Sequence, residues 1–237
     1  NTQSQINIGL EIIDQRTKTL KHLGRNQGLS NNNITGIVED QKGRIWLSTF
    51  NGVNVLDEKE GTIRIVKNEN GLIQNGISCL MEDKEGNIWL GMFGKGIDIL
   101  NEKSGKILHI DSSTGLQNNK IRNMKQNENG DVWVGTDAGV EIINLKEGRI
   151  SHFNVSNGLN TGSRVTRIVF DKLNHAWIST WGAGVEVYDP LEQTIKHLNT
   201  TKGLGNDQVG ALFLDASGQV WIGTYAGEIN IYNPNAG

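Results

Sequence analysis

Histidine is the residue type in this chain that most readily suggests metal chemistry, because several copies recur at a regular spacing. The recurring histidines are His22, His109, His152 and His197. Each falls at the same place in a sequence repeat, on the last strand that the repeat predicts. Zinc ligands must lie within about 2.1 Å of one ion, and residues spread one per repeat cannot meet at that distance. We therefore predict no metal site and a structural role at the outer rim. The fifth histidine, His175, lies in a predicted turn and receives no role.

The motifs that usually carry catalysis are missing from the sequence. It contains no Gly-x-Ser-x-Gly nucleophile elbow, no His-Glu-x-x-His zinc motif and no Walker-type phosphate loop. Gly94–Gly96 and Gly182–Gly184 resemble parts of a dinucleotide motif, but each lies between two predicted strands, as a hairpin turn does. We predict no catalytic residues and no cofactor, which favours a binding function over an enzyme. A polysaccharide lyase or hydrolase is the third alternative.

The clearest binding signal is one position that carries an aromatic residue in most repeats. This position, called the aromatic position below, directly follows the second strand of each repeat and comprises Phe50, Phe93, Asp137, Trp181 and Tyr225. Aromatic rings on one face can stack against the weakly apolar C–H faces of sugar rings. Trp181 is the one tryptophan outside the recurrent framework. We predict a ligand site here; the alternative is that the rings only plug turns between neighbouring repeats.

Polar residues before or on the first strand of a repeat are expected on the same face as the aromatic position. Those chosen as ligand contacts are Asn33, Asn119, Arg122 and Arg164. Amides suit hydroxyl groups, and arginines suit sulfate or carboxylate groups. Arg122 would matter most for an anionic ligand. For each asparagine, the alternative is that the side chain caps its own turn.

A ten-residue framework positions these candidates, and near-copies of it recur along the chain. It reads Asp-x-x-Gly-x-x-Trp, followed by an apolar residue, a Gly or Ser, and usually Thr. The tryptophans are Trp46, Trp89, Trp133, Trp177 and Trp221, spaced by 43, 44, 44 and 44 residues, and the turn glycines are Gly43, Gly86, Gly130 and Gly218, with Asn174 in the fourth repeat. The Asp is expected to accept bonds from backbone N–H groups, and the Gly to supply a positive φ. Each tryptophan is expected to fill the space between neighbouring repeats, where the small residue two positions later allows close approach.

A period near 44 residues with four short strands indicates an all-β fold, an antiparallel β-propeller of four-stranded blades. In the first complete repeat we predict strands at 34–39, 44–49, 53–56 and 62–66, and no segment predicts a long helix. The predicted divisions are closing strands of a preceding blade at 1–27, blades at 28–70, 71–114, 115–157 and 158–202, and an incomplete blade at 203–237. Either residues 17–23 close a five-bladed ring, or the chain is an arc of a larger, seven-bladed propeller. The second interpretation is favoured because the first would leave a third strand in duplicate.

Composition excludes several classes of partner. The 237-residue chain has a formal net charge of −3, which gives no electrostatic basis for binding nucleic acid or an anionic membrane. No apolar run approaches the roughly 20 residues that cross a bilayer. The single cysteine, Cys79, excludes an intrachain disulfide. The chain begins without methionine or a signal-peptide pattern, and we expect it to be a piece of a longer protein.

Together these features resemble a known repeat family. The segment from Gly28 to Thr49 resembles the two-component regulator propeller repeat, with its Gly-Leu pair, asparagine, apolar strand, Asp-x-x-Gly turn and Trp strand. The Trp-Asp and Gly-His pairs of WD40 repeats are missing. The proline that the family usually places after Gly-Leu is also missing, which affects loop rigidity and leaves the fold unchanged.

The resemblance implies a function as well as a fold. It implies the extracytoplasmic, periplasmic sensor region of membrane-anchored hybrid histidine kinases of the Bacteroidetes type, which sense glycan fragments. This chain would then be a non-enzymatic sensing module that binds an oligosaccharide or other small ligand and signals to a kinase outside this sequence. Its partners would be other propeller and immunoglobulin-like domains of the same protein, and a second copy in a homodimer. The alternative is a structural scaffold that holds partner domains.

Overall fold

The computed structural model describes residues 9–160 and 164–234, and these residues form antiparallel strands, turns and four single turns of 3₁₀ helix. The outer ends of the first and last predicted divisions, residues 1–8 and 235–237, lie outside the described residues, as do residues 161–163. The predicted all-β class is confirmed. The chain divides into two compact units, one ending at His109 and one beginning at Ile110, which are described separately.

The first unit contains one two-stranded sheet and two four-stranded sheets, and consecutive strands are neighbours in each. The strands are β1 (Leu10–Ile13) and β2 (Leu20–Leu23); β3 (Ile34–Glu39), β4 (Ile45–Thr49), β5 (Gly52–Asp57) and β6 (Thr62–Val66); and β7 (Ile77–Glu82), β8 (Ile88–Met92), β9 (Ile97–Asn101) and β10 (Lys106–Ile110). The first complete repeat follows the predicted strands to within one residue. Its second strand begins at Ile45 because the Arg44 N–H belongs to the preceding turn, where it bonds Asp40 Oδ1. Residues 17–23 were offered above as the closing strand of a five-bladed ring; of these, β2 pairs with β1.

The second unit repeats the same arrangement with two four-stranded sheets and one three-stranded sheet. The strands are β11 (Ile121–Gln126), β12 (Val132–Thr136), β13 (Gly139–Asn144) and β14 (Arg149–Phe153); β15 (Val165–Phe170), β16 (Ala176–Thr180), β17 (Val185–Asp189) and β18 (Thr194–Leu198); and β19 (Val209–Leu214), β20 (Val220–Thr224) and β21 (Ile229–Tyr232). Every described sheet is thus a meander of short antiparallel strands, the arrangement of propeller blades.

The Gly-Leu pairs mark where the chain enters each repeat. A 3₁₀ turn such as Arg25–Gln27 ends at a glycine with positive φ, 104° at Gly28, and Gly71, Gly158 and Gly203 follow their own 3₁₀ turns at similar angles. Only glycine adopts this left-handed conformation at little cost. The next residue then points inward, and all five leucines of these pairs are buried: Leu29, Leu72, Leu116, Leu159 and Leu204.

The recurrent Asp-x-x-Gly turn is held by both carboxylate oxygens of its aspartate. Asp40 Oδ1 accepts from the Lys42 and Arg44 N–H groups, each at 2.9 Å, as predicted. Its Oδ2 accepts from Trp46 Nε1 at 2.8 Å, a bond that the sequence analysis did not anticipate. The same indole bond joins Asp83 to Trp89, Asp171 to Trp177 and Asp215 to Trp221. The turn position has a positive φ in every repeat, at Gly43, Gly86, Gly130, Asn174 and Gly218.

One repeat lacks this bond. Asn127 replaces the aspartate, and its Oδ1 accepts from the Asp131 N–H at 2.9 Å. The other end of an amide group is a donor and cannot accept from an indole N–H. Trp133 Nε1 is accordingly buried without a hydrogen-bond partner among the described residues.

Tryptophans of the framework pack against the next sheet in the chain. Trp46 lies in one apolar cluster with Leu72, Ile77 and Leu80, which enter the following sheet. In the second unit, Leu159, Val165 and Ile168 lie in the cluster of Trp133, and Leu204, Val209 and Leu212 lie in that of Trp177. Four of the framework tryptophans are buried, whereas Trp221 on β20 is 38% exposed. The small residue two positions after the tryptophan permits this packing, since a Cβ on Gly135 would lie 2.5 Å from Val165 Cγ1.

Candidate functional site

The aromatic position lies where the second strand turns into the third, and in most repeats the preceding residue is a threonine that closes the turn. Thr49 Oγ1 accepts from the Asn51 N–H at 3.0 Å and donates to the Gly52 carbonyl at 2.9 Å. Thr136 and Thr180 make the same pair of bonds in their own turns. Closing these turns uses the threonine hydroxyl and backbone groups only. The side chain at the aromatic position, directly after the threonine, is therefore not needed to close the turn.

In the first unit, the aromatic position brings together two phenylalanines from neighbouring sheets. The rings of Phe50 and Phe93 meet edge to face with centroids 5.5 Å apart. The two residues remain 50% and 49% exposed. The rings touch each other, as the alternative of turn-plugging rings requires. About half of each residue's surface is nevertheless exposed.

In the second unit, Trp181 and Tyr225 form a closer pair. Their ring centroids lie 4.1 Å apart, and Tyr225 is 60% exposed. The tyrosine ring rests over Gly210, where an added Cβ would lie 2.6 Å from Tyr225 Cε2. A side chain at residue 210 would displace the ring, so glycine is required for this arrangement.

Backbone hydrogen bonds join the turn that carries Trp181 to the loop that opens the next repeat. The Gly182 and Gly184 N–H groups donate to the Asp207 carbonyl at 3.0 and 2.9 Å, and Tyr225 N–H donates to the Gln208 carbonyl at 2.9 Å. Trp181 and Gln208 also form an antiparallel bridge. The pair of rings is therefore mounted on two consecutive sheets that are bonded to each other.

The one non-aromatic member of the aromatic position is the centre of an ion-pair cluster. Asp137 accepts from Arg122 Nε and Nη2 at 2.7 and 3.1 Å and from Arg164 Nε at 3.2 Å. The hydrogen bond from Arg122 lowers the pKa of Asp137 despite partial burial, which acts in the opposite sense, and Arg164 lowers it further. Arg164 lies over the Trp181 ring, 5.9 Å from its centroid. Four of the predicted site residues, Arg122, Asp137, Arg164 and Trp181, thus form one continuous cluster.

A β-bulge aims Arg122 at this cluster. The register of β11 against β12 shifts between Ile121 and Asn123, so Arg122 is the extra residue. The other first strands bulge at the same place, where Thr35, Ser78, Thr166 and Gly210 stand. Bulges redirect side chains out of the regular alternation of a strand. Thr35 and Thr166 use the position to donate to the Ile77 and Val209 carbonyls of the next sheet, both at 2.8 Å.

The two asparagines predicted as ligand contacts differ in how they are held. Asn119 Oδ1 accepts from the Ser112 N–H at 2.7 Å, and its Nδ2 donates to Ser112 Oγ at 3.0 Å, so its amide fixes the entry loop. Asn75 and Asp207 hold their own loops in the same way, because the Oδ1 atom of each accepts from the backbone N–H seven residues earlier. Asn33 is exposed, and its backbone N–H bonds Asn31 Oδ1 at 2.8 Å.

A second set of polar residues was not identified from the sequence. Each recurrent histidine pairs across two strands with an acid eleven residues earlier, as His109 does with Asp98 at 2.7 Å and His152 with Glu141 at 2.5 Å. His22 and His197 pair in the same way with Glu11 and Glu186. The buried Asp98 and Glu141 also accept the N–H of the residue that directly follows a Gly-Leu pair, Ile73 or Gln117. The recurring acid–His spacing was the available signal.

These pairs lie one per sheet, as the sequence predicted for the histidines. Burial raises the pKa of Glu186, and the neighbouring His197 opposes that effect. Within residues 9–160 and 164–234 there is no group of three or more His, Cys, Asp or Glu side chains that could hold a metal ion. His175, left without a role above, bonds Asp171 through Nδ1 at 2.9 Å and lies 3.4 Å from Asp189 through Nε2.

Two cavities in the described parts of the chain are lined by residues outside the aromatic position. A cavity of about 180 Å³ in the second unit is lined by Trp177, His175 and Tyr232, among others. One of about 440 Å³ in the first unit lies between β2 and the turn that joins β5 to β6. None of the described helices has the length and apolar character that a membrane crossing requires.

Four-stranded antiparallel meanders that recur about every 44 residues, with a tryptophan on the second strand, define a protein built of β-propeller repeats. Residues 28–51, 71–94, 115–138 and 203–226 match the family described as two component regulator propeller. Four segments of the chain thus match the two-component regulator propeller repeat, and the predicted resemblance is confirmed.

Solved structures with the same fold include extracellular domains of bacterial signalling proteins. One is the extracellular domain assigned to the hybrid two component system BT3049 from B. thetaiotaomicron, with 24% identity and a TM-score of 0.81, covering 94% of this chain and 30% of that one. Another is assigned to the hybrid two component system BT4673 of the same organism, with 19% identity and a TM-score of 0.74, covering 97% of this chain and 40% of that one. The chain therefore spans less than half the length of either domain.

An enzyme has a related fold. Virginiamycin B lyase from Staphylococcus aureus is 17% identical, with a TM-score of 0.66, covering 86% of this chain and 72% of that one. Identities this low show a shared fold and nothing further. No curated protein matches the chain.

Proposed function

We propose that this chain is a non-enzymatic ligand-sensing module of a membrane-anchored two-component sensor, acting in the periplasm or outside the cell. Its ligand is a glycan fragment, and the signal passes to a kinase outside this sequence. The observation that carries the proposal is the aromatic position, where exposed Phe50, Phe93 and Tyr225 and half-buried Trp181 form ring pairs on the turns. Similarity to extracellular domains of hybrid two component systems supports the compartment and the sensor class.

Exposed rings held at fixed positions suit sugars, whose C–H faces pack against aromatic surfaces while their hydroxyl groups need polar neighbours. Trp181 has such a neighbour in Arg164, and Asn33 is an exposed amide in the first unit. The polar side chain shown against the Trp181–Tyr225 pair is the Arg164 guanidinium, which suits anion binding and not the role of nucleophile or base. Binding without turnover is the chemistry that these residues favour.

The test is calorimetric titration of the protein with a panel of oligosaccharides, followed by Trp181→Ala and Phe50→Ala. Each substitution should weaken binding by about tenfold or more, as loss of a central aromatic contact does at other interfaces. Phe213→Ala is the matched control, because Phe213 is an exposed aromatic residue outside the aromatic position. If no saccharide binds, or if all three variants bind equally well, the proposal fails.

The second candidate function, a scaffold for partner domains, is favoured by one observation of its own. The outer face of the last sheet exposes apolar side chains that are buried in earlier repeats: Ile229 is 70% exposed, whereas its counterpart Val185 is 0% exposed. Under this function, Ile229→Lys would change assembly as measured by light scattering. Trp181→Ala would then leave ligand-triggered signalling intact.

A further inference from the structure

One repeat departs from the others at two positions that face each other, which are occupied by Arg122 and Asp137. Arg164, from the following repeat, adjoins them. At the aromatic position, four repeats carry an aromatic ring and this one carries Asp137. At the bulge of the first strand, the others carry small residues and this one carries Arg122. The two departures lie together, since Arg122 forks onto Asp137 with bonds of 2.7 and 3.1 Å.

The cluster carries more positive charge than the carboxylate can neutralise. Arg122 and Arg164 both bond Asp137, and Lys120 Nζ lies 3.7 Å from its Oδ2. Three cations around one anion leave a local excess of two positive charges. The side chains of Lys120 and Arg164 are 63% and 44% exposed, so this excess faces solvent.

Within residues 9–160 and 164–234, the hydrogen bonds of this cluster leave some guanidinium donors unused. A guanidinium carries its N–H groups on a planar fork with several edges. The bond from Arg164 to Asp137 uses Nε, and the bonds from Arg122 use one edge of its fork. Asp137 therefore holds both arginines at fixed positions without occupying all their donors. This is the arrangement expected of a carboxylate that positions cationic binding groups.

An aromatic platform adjoins those donors. Arg164 lies over the Trp181 ring, whose own neighbour is Tyr225 at 4.1 Å between centroids. The backbone also connects them, because Trp181 N–H donates to the Arg164 carbonyl at 2.9 Å. An acidic group and a sugar ring on the same ligand could thus contact the arginines and the rings at once.

We propose that the ligand is an anionic saccharide, whose carboxylate or sulfate binds Arg122, Arg164 and Lys120 while its ring packs on Trp181 and Tyr225. This inference rests on the proposed function and narrows its substrate class. Asp137 is a positioning residue, and its removal would loosen the arginines. Charge-assisted hydrogen bonds to arginine make the acidic group the main source of affinity.

The experiment titrates the protein with pairs of probes that differ only in charge. One pair is an oligogalacturonate tetrasaccharide and its carboxyl-reduced form; the other is a galactose disaccharide with and without a sulfate ester. We expect the charged member of one pair to bind at least about tenfold more tightly than its neutral form. Which pair shows the preference distinguishes carboxylate from sulfate. The preference should also shrink as salt is raised.

Variants assign the preference to residues. Arg164→Gln should remove most of the preference for the charged probe and leave binding of the neutral probe within about twofold. Arg122→Gln alone would leave the Asp137 carboxylate without its main cationic partner. The double variant Arg122→Gln/Asp137→Asn avoids this, because it removes both charges of the ion pair and keeps side chains of similar size. Arg149→Gln, which changes an arginine of the same unit outside the cluster, should have no effect on the preference.

The outcomes separate this inference from the proposed function. If charged and neutral probes bind equally well and Trp181→Ala weakens both, sugar binding stands and the anionic class is wrong. If Arg164→Gln leaves the charge preference unchanged, the assignment to this cluster is wrong. If no probe binds, both the class and the sensing function fail.

Discussion

The missing hydrogen bond at Trp133 leads to a quantitative prediction. In this repeat Asn127 cannot accept from the indole, and the residue four positions on is Asp131, which accepts from Asn144 Nδ2 at 2.8 Å. The second repeat of the first unit has the opposite pair: Asp83 accepts from both Trp89 and the Asn87 side chain, each at 2.8 Å. Exchanging the two residues, as Asn127→Asp/Asp131→Asn, would reproduce the arrangement of that repeat.

The expected gain in stability follows from the Trp133 indole N–H, which has no hydrogen-bond partner among the described residues. A buried donor without a partner costs about 1–3 kcal/mol, and a hydrogen bond to a charged group contributes about 1.5–3 kcal/mol. Burying a new carboxylate offsets part of this gain, although backbone N–H groups await it in the turn. We expect the double variant to be more stable by about 1–2 kcal/mol. For a chain of this length that corresponds to a rise in Tm of about 2–8 °C.

Each single substitution separates the contributions. Asn127→Asp alone places a carboxylate next to Asp131, and the repulsion between like charges should cancel much of the gain. Asp131→Asn alone keeps an acceptor for Asn144 and supplies no acceptor for Trp133, so it should change stability little. The two substitutions should therefore couple favourably, by about 0.5 kcal/mol or more in a double-mutant cycle.

Thermal and chemical unfolding measure the stability, and NMR measures the bond itself. Hydrogen exchange of the Trp133 indole N–H should slow in the double variant, while the indoles that already bond an aspartate should not change. Asp83→Asn/Asn87→Asp is the mirror-image control and should lose a similar amount of stability. A double variant no more stable than the natural chain, or a gain that Asn127→Asp achieves alone, would refute the reasoning.

Three further predictions concern the framework and the hairpin that supports the site. Burial alone would raise the pKa of Asp40, but hydrogen bonds from Arg44 and Trp46 outweigh this effect and lower the pKa to about 2. The ionised carboxylate should therefore contribute up to about 2 kcal/mol to the free energy of unfolding above about pH 4, and this contribution should be lost as the pH falls towards 2. In acid titrations, the stability difference between the natural chain and Asp40→Asn should shrink over that range. Gly135→Ala should lower stability by about 1–3 kcal/mol because the new methyl group meets Val165, whereas the free energy of unfolding of Gly76→Ala, where the nearest atom is 3.9 Å away, should change far less. Thr180→Val should lower the unfolding free energy by about 1–2 kcal/mol by removing both bonds of its hydroxyl, and hydrogen exchange of the Ala183 N–H should quicken; an unchanged rate would contradict the role given to the threonine.

Local patterns in the sequence were sufficient for the strands, the Asp-x-x-Gly turn and the repeat family. Turn geometry depends on a few adjacent residues, and alternation of apolar residues decides which face of a strand is buried. The agreement of Ile34–Glu39 and Thr62–Val66 with prediction, and the positive φ of Asn174, reflect this locality.

Contacts between elements could not be derived in the same way. The bulge that directs Arg122 onto Asp137 depends on strand register, which a single strand sequence does not reveal. The pairing of Asp98 with His109 was visible as a recurring interval, yet only the antiparallel register places the two side chains together. Asn127 stood out in the repeat, but its consequence depends on the burial of the Trp133 indole.

The threonine that closes the hairpin in most repeats has a consequence for how such a chain can diversify. Because Thr49, Thr136 and Thr180 secure their turns through hydroxyl and backbone groups, the neighbouring residue can be exchanged with little risk to folding. Gene duplication could then supply many copies of one stable frame, each with a separately mutable contact residue. New specificities could arise by single codon changes or by exchange of whole repeats, since every repeat presents its variable residue at the same place.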